Sequence, residues 1–332
     1  MQNKTIKAYA PHRISYCGGG TDFPSFYNEY DGAVINCAIN RFSKIYAREE
    51  SDGRVFLEAK EVNEVFRGNM FDLKGRKELS MPLKAIFDSK QPVHMIIKSD
   101  VPPGSGLGSS GTLAVNLINT LNFLKRGETV SPSHLAEQAY HFEAKTLGKA
   151  VGKQDHYAAA LGGLNFIEFG AEGVKVSHFI KETTMELQKR CILFYLGKTR
   201  LADRILKRQE RNVIQRNEGT IEALKGMLEL TRRMKRSIDR GNFGEIGSIL
   251  EDAWLLKKKY TTGISNRFIE KVHSKALQSG ATGAKVTGAG GGGHFFVYAE
   301  VDRHRKIIRN LKDIGCIHIP FKVCESGAWI ES

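Results

Sequence analysis

The chain has 332 residues, 41% apolar and 26% charged, globular proportions that exclude broad disorder and allow one large or two medium domains. The formal net charge is +14. Much of the excess lies in 198–275, with 19 Lys and Arg against 10 Asp and Glu, but bases and acids are interspersed there ("RRMKRSIDRGNFGEIGSILEDAW") without an aromatic ladder, which reads as solvated helix faces attracting anionic small molecules and not as a nucleic-acid surface.

The N-terminal "MQNKTIKAYAPHRISY" alternates like a strand and lacks the apolar stretch of a signal peptide. No apolar run approaches the ~20 residues of a membrane span. A cytoplasmic protein that engages neither membrane nor nucleic acid is expected. The five cysteines (Cys17, Cys37, Cys191, Cys316 and Cys324) form no Cys-x-x-Cys pair, so reduced, mostly buried thiols are expected.

In chain order, "IKAYA", "AVINCAIN", "SKIYARE", "RVFLEA" and "VHMIIKSD" carry strand signals, and "GTLAVNLINTLNFLKR" and "SHLAEQAYHFEAKTLG" carry helical spacing. "GGLNFIEFG" and "RCILFYLG" read as further strands. From about Leu201 to Leu277 the pattern is helical, broken at Gly241 and Gly263, and "AKVTG", "HFFVYAE" and "CIHIPFKV" return to strand. The fold class is α+β, with a boundary expected near residue 180 that divides the chain into 1–180 and 181–332.

The stretch "VPPGSGLGSSGTLAV" (101–115) is built for a phosphate. A P-loop is excluded, because it needs a lysine beside its last glycine and none stands between Lys98 and Lys125. The Rossmann spacing occurs as Gly106, Gly108 and Gly111. However, Pro102 and Pro103 interrupt the strand's entry into the turn, and Glu128 lies in a loop where the ribose-binding acid should end a strand. What remains is a run of small residues that lets the backbone close on phosphates, followed by a helix whose free N–H groups and dipole face the anion. Ser109 and Ser110 add hydroxyls where that helix starts, for phosphate or magnesium.

"PPGSGLGSSGT" resembles the phosphate loop of the GHMP kinases. Two further stretches match that family in order: "APHRISYCGGGTDFP" (10–24) resembles its N-terminal substrate motif and "AKVTGAGGGGHFFVY" (284–298) its C-terminal glycine motif. The resemblance implies a GHMP kinase two-domain fold. Its N-terminal ATP-binding domain would be S5-like with a left-handed βαβ crossover, and its C-terminal domain ferredoxin-like. It also implies ATP and Mg2+ as cofactors. Pro103, Gly104, Ser105, Gly106, Leu107, Gly108, Ser109, Ser110 and Gly111 would bind ATP, and Ser110 and Glu143 (with Glu137 as the alternative acid) the metal. Asp155, in "GKQDHYAAALGG", matches the family's aspartate at the acceptor hydroxyl, where a carboxylate takes or orients the proton. Arg13 matches the basic residue beside it, which would offset charge growing on the γ-phosphoryl group. His12, His141 and His156 are read as packing or polar contacts.

Gly18-Gly19-Gly20-Thr21-Asp22 keeps the aspartate of the galactokinase motif but replaces its Glu-His by glycines, which argues against galactose. Together with "GKQDHYAAALGG" and "GKTRLADRIL" (197–206), it looks most like the D-glycero-D-manno-heptose 7-phosphate kinase branch, which phosphorylates an anomeric hydroxyl in making nucleotide-activated heptose for surface polysaccharide. By that resemblance Gly19, Gly20, Thr21, Asp22, Gly290 and Gly291 would meet the substrate. Lys198 and Arg200, and Arg41 or Lys44, are the candidates to grip its phosphate. A fucose-type or other sugar 1-kinase of the same family, and a non-catalytic ligand sensor of the same fold, are the alternatives. The sequence carries no signal of oligomeric state.

Overall fold

The computed structural model describes residues 5–60, 63–197 and 202–332. β1 (Ile6–Cys17) and β2 (Gly32–Glu49), joined through α1 (Pro24–Tyr30), pair antiparallel at the centre of an eight-stranded sheet. The runs "AVINCAIN" and "SKIYARE", expected as two strands, form this single β2. The register shifts from Pro11↔Phe42 to His12↔Ile39, so Asn40 and Arg41 bulge out while the strand continues. The bulge is held by the C-terminal tail, through Asn40 N to Lys322 O at 2.9 Å and Lys322 N to Asn40 Oδ1 at 2.7 Å.

β3 (Arg54–Ala59), β4 (Glu64–Asn69), α2 (Met70–Lys74), α3 (Met81–Ser89) and β5 (Val93–Ser99) follow. β3 runs parallel to β5, and its connection through α2 and α3 is a βαβ-type crossover. Next come α4 (Ser109–Arg126), α5 (Pro132–His141) and α6 (Gln154–Leu161), then β6 (Leu164–Gly170), which pairs with the first half of β2, and β7 (Gly173–His178). The helix expected over 133–148 ends early: after His141 the backbone widens into a π-helical turn, Phe142–Thr146.

α7 (Lys181–Lys189) leads to β8 (Cys191–Tyr195), and α8 (Ala202–Ile214), α9 (Glu218–Asp239), α10 (Ile246–Lys257) and α11 (Arg267–Gln278) lead to β9 (Gly283–Val286) and β10 (His294–Tyr298). The expected helical stretch is interrupted once more than its glycines announced, at Gln215–Asn217, where Arg216 adopts φ 54°. α12 (His304–Lys312) and β11 (Ile317–His318) complete a four-stranded sheet of order β11-β8-β10-β9. This is the ferredoxin-like order, with four helices in the first crossover. "CIHIPFKV" contributes only β11 and a bridge from Val323 to Ile39, because Pro320 has no N–H to extend the ladder. β12 (Trp329–Glu331) then returns to pair with β1 in the large sheet.

One apolar cluster lies between the large sheet and α4–α6, with Ile45, Leu57, Met95, Val115 and Ala136 among its members. The other joins β1 and β2 to the small sheet and its helices through Tyr16, Ile35, Trp254, Phe194 and Phe296. This shared core holds the two sheets against each other and fixes the cleft between them. All five cysteines are free, four of them buried. Among the described residues no helix is long and apolar enough to cross a membrane.

Candidate active site

The loop between β5 and α4 turns at Gly104, Gly106 and Gly108, with φ of 70°, 86° and 75°, values that favour glycine. Gly108 is the N-cap of α4 and brings no capping side chain. The first α4 bond is Thr112 N to Gly108 O at 2.9 Å, which leaves the preceding amides for an anion. Ser105 and Leu107, expected at the nucleotide, instead turn their side chains inward. Both are fully buried, Leu107 in the shared core. Their carbonyls anchor the loop: Leu107 O accepts from Arg13 N at 3.1 Å, and Ser105 O from His294 N at 2.9 Å and His294 Nδ1 at 2.8 Å.

The C-terminal glycine motif packs directly on this loop. A Cβ on Gly106 would stand 2.7 Å from Thr287 O, and one on Gly288 would stand 2.6 Å from the Gly106 Cα. Backbones from the two sheets therefore touch at a distance no side chain allows.

β1 carries Arg13 into this contact, 3% exposed. Its Nε and Nη2 reach Asp155 Oδ1 at 2.7 and 2.6 Å, and its Nη1 reaches Gly106 O at 2.7 Å. Asp155 lies in the first turn of α6. Its Oδ2 has no partner among the described residues and sits beside Gly108, 3.2 Å from where a Cβ would be. The structure thus brings Asp155, Arg13 and the phosphate loop together.

Glu143 is fully buried, because the π-helical turn rotates it inward under α4. Its Oε1 accepts from Ser110 Oγ and lies 3.4 Å from Lys149 Nζ, and its Oε2 meets His156 Nε2 at 2.9 Å. Burial works to raise its pKa, but His156, Lys149 and Ser110 outweigh that and bring it down to about 2. Lys149 also reaches Ser110 Oγ at 3.1 Å. Glu137, the alternative acid, is tied to Lys153 at 2.7 Å and Tyr157 at 2.6 Å.

Several expected substrate contacts are displaced. Thr21 is fully buried, and its hydroxyl is shared with Gly18 O, Ala33 O and Ala33 N. Asp22 borders the cleft, but its carboxylate accepts from Gly20 N at 2.9 Å and Gln154 N at 3.1 Å, so it ties the N-terminal glycine turn to α6. Burial, chiefly, raises its pKa. Gly290 and Gly291 pack on the 263–264 turn, with Gly291 N donating to Ile264 O at 2.7 Å, and Gly288 and Ala289 face the cleft in their place. Arg41 is held by Asn40 O and Pro320 O, and Lys44 by Asp100, and neither lines the cleft. Lys198 and Arg200 lie outside the described residues.

The turn at Ser109 and Ser110 separates two cavities. One, about 820 Å³, is bordered by Arg13, Gly19, Gly20, Asp155 and Lys257. The other, about 1470 Å³, is more apolar, with Val65, Met81, Ile97, Val101 and Leu113 in its wall and Lys149 at its edge. Sequence reasoning found neither Lys149 nor Lys257, which no motif contains, and of this cavity's lining it assigned only phosphate-loop residues such as Pro103, giving no role to Val101 or Leu113 at the ends of that stretch. His156, read as a packing contact, positions Glu143.

An uncapped helix N-terminus, a carboxylate held by a guanidinium, and a cavity on each side of the loop define a phosphotransferase acting on a small hydroxylated molecule. Residues 76–163 match the model of the GHMP kinases N terminal domain, and residues 234–315 that of the GHMP kinases C terminal. The D-glycero-alpha-D-manno-heptose 7-phosphate kinase of Campylobacter jejuni is 30% identical over 327 residues, covering 93% of this chain and 94% of that protein. The bifunctional fucokinase/GDP-fucose pyrophosphorylase of Arabidopsis thaliana is 24% identical over 93% of this chain but only 31% of its own length. A Campylobacter jejuni protein described as a sugar kinase superposes with a TM-score of 0.77 at 26% identity, over 100% of this chain and 99% of that one. The chain belongs to the GHMP kinase family. It is a sugar kinase whose phosphate donor is ATP.

Proposed function

We propose that this kinase phosphorylates the anomeric hydroxyl of D-glycero-D-manno-heptose 7-phosphate to the 1,7-bisphosphate, in the cytoplasm, on the way to nucleotide-activated heptose for surface polysaccharide. The observation that carries the reading is the Asp155–Arg13 pair at the acceptor-side cleft, in a chain similar along nearly its whole length to a kinase named for that substrate. Residues 1–180 and 181–332 are taken as its two domains, with Trp329–Glu331 returning to the first.

ATP enters the apolar cavity, its base against Ile97 and Leu113 and its triphosphate along Gly104 to Gly111, where the α4 amides and Lys149 meet its charge. Ser110 and Glu143 offer two oxygens on one edge of that path, a donor set that suits a magnesium ion completed by phosphate oxygens and water. Bound there, magnesium would neutralise phosphate charge. His156 fixes Glu143 for this role. The sugar lies in the opposite cleft beside Gly19, Gly20 and Asp22. Asp155 Oδ2 takes the proton of the anomeric hydroxyl as its oxygen bonds to the γ-phosphorus and the bond to ADP breaks. Arg13 holds Oδ1, so Oδ2 is the oxygen left for that proton.

A second reading, a fucose-type 1-kinase with an unphosphorylated acceptor, draws on one observation: Arg41 and Lys44 stand away from the cleft. A coupled ADP-release assay with D-glycero-D-manno-heptose 7-phosphate, heptose, fucose, galactose and mevalonate separates the two. Turnover confined to the heptose phosphate, and cut 10²- to 10⁴-fold in Asp155→Asn, roughly the span of general-base effects, is expected. Equal or better turnover of fucose overturns the substrate assignment, and an Asp155→Asn enzyme with unchanged kcat overturns the role of Asp155.

A further inference from the structure

α10 ends at Lys257, whose side chain is buried, 7% exposed. Its ammonium donates to Gly288 O and pairs with no carboxylate among the described residues. An ammonium has three protons to donate, so two remain without an acceptor among the described residues. Lys257 borders the acceptor-side cleft and not the apolar one. Gly288 rests on Gly106, whose carbonyl is held by Arg13. The Lys257 ammonium and the Arg13 guanidinium therefore flank one backbone contact, next to Asp155.

Burial chiefly, then the neighbouring Lys285 and Arg13, push Lys257 well below the ordinary lysine range. An unpaired buried cation is a cost to folding that an apolar side chain of equal length avoids. Packing therefore gives no reason for a lysine here. An anion arriving between loop and acceptor does, because its charge is met by the Arg13 guanidinium and favours the protonated form of Lys257 beside it.

We propose that Lys257 is a catalytic residue which contacts the transferring phosphoryl group from the acceptor side, opposite the helix amides and beside Arg13. The proposal rests on the kinase reading above and adds a second cation to its reacting centre. As the group leaves ADP for the sugar oxygen, its charge lies over its equatorial oxygens, and Lys257 donates to one of them.

Lys257→Met tests this with two readouts. In the ADP-release assay kcat is expected to fall about 10²- to 10³-fold, as for loss of one oxyanion donor, with KM for ATP and sugar within about threefold. The second readout needs no sugar. Wild-type protein is expected to bind ADP, magnesium and aluminium fluoride more tightly than ADP and magnesium, and the variant to lose that increment. The melting temperature of the variant is expected to equal or exceed that of wild type, since a buried amine with unfilled donors is gone. If kcat per folded enzyme and the fluoride increment both persist while stability falls, Lys257 is only a prop for Gly288 and the proposal is wrong. If KM for the sugar rises with kcat unchanged, Lys257 binds the acceptor instead, and the proposal is again overturned. If wild type turns over no sugar, the substrate reading fails, and the fluoride increment alone decides Lys257.

Discussion

Replacing Glu143 with glutamine removes one charge from the buried group beneath Ser110 and leaves its shape. The carboxylate is held by His156 at 2.9 Å, by Ser110 and, at 3.4 Å, by Lys149. Burial opposes its ionisation, but these partners prevail and bring its pKa from the ordinary 4.5 to about 2. A carboxyl depressed in the folded state contributes stability in full above its unfolded pKa. It loses that contribution as pH falls through the folded value, so the window runs from about 4.5 down to about 2. The difference between the two values corresponds to roughly 3 kcal/mol at pH 7, shrinking to less than half of that at pH 3. Glutamine mimics the protonated carboxyl, so Glu143→Gln is expected to cost about those amounts at the two pH values. Urea unfolding of both proteins at pH 7 and pH 3, without nucleotide, measures the two gaps. A gap that is the same at both pH values, or below about 1 kcal/mol at pH 7, refutes the reasoning, because the carboxylate would then owe nothing to His156 and Lys149.

Gly106→Ala is expected to cost at least about 2 kcal/mol and most of the activity, since its Cβ would meet Thr287 O at 2.7 Å on a backbone at φ 86°. Gly127→Ala is the control. It has a similar φ of 74° with nothing within 4 Å, so thermal melts should show a loss near 1 kcal/mol with kcat retained. Leu113→Trp fills part of the apolar cavity, and steady-state kinetics should show KM for ATP raised at least about tenfold with KM for the sugar unchanged. A rise in the sugar's KM alone would reverse the assignment of the two cavities.

The parts of the site that the sequence shows plainly are those where backbone geometry dictates residue type. Gly104, Gly106 and Gly108 stand where φ is positive, and Ser109 and Ser110 open a helix. Within those motifs residue type alone does not separate roles: Thr21 and Asp22 stand side by side, yet their side chains point to different places, and Thr21 closes the turn at Ala33. Gly290 and Gly291 belong to a run of four glycines that looks uniform in the sequence, whereas only Gly288 and Ala289 just before it line the cleft. Beyond the loop residues at its edge, the apolar cavity is not legible in the sequence. Val65, Met81, Ile97 and Leu113 come from β4, α3, β5 and α4, and only sheet pairing and helix packing bring them together. The same holds for β12, whose three residues acquire strand geometry by lying against β1, and for β2, whose continuity through Asn40 and Arg41 depends on a partner 282 positions away in the tail.

Arg13 links pieces of the machinery that are usually considered apart. Three nitrogens of one planar group set the position of Asp155 Oδ1 and fix the carbonyl of Gly106, and the backbone N–H of Arg13 holds Leu107. The orientation of the proton acceptor and the curvature of the phosphate loop are therefore one structural variable. Gly288 acts on that variable from the other sheet, because it presses on Gly106. Arg13→Met and Gly288→Ala should each lower kcat and should not add. Once either has let the loop move, the second finds less to disturb, so a double-mutant cycle on kcat should give a coupling of about 1–3 kcal/mol. A coupling below about 0.5 kcal/mol would mean that the loop keeps its shape without Arg13. The guanidinium would then serve Asp155 alone.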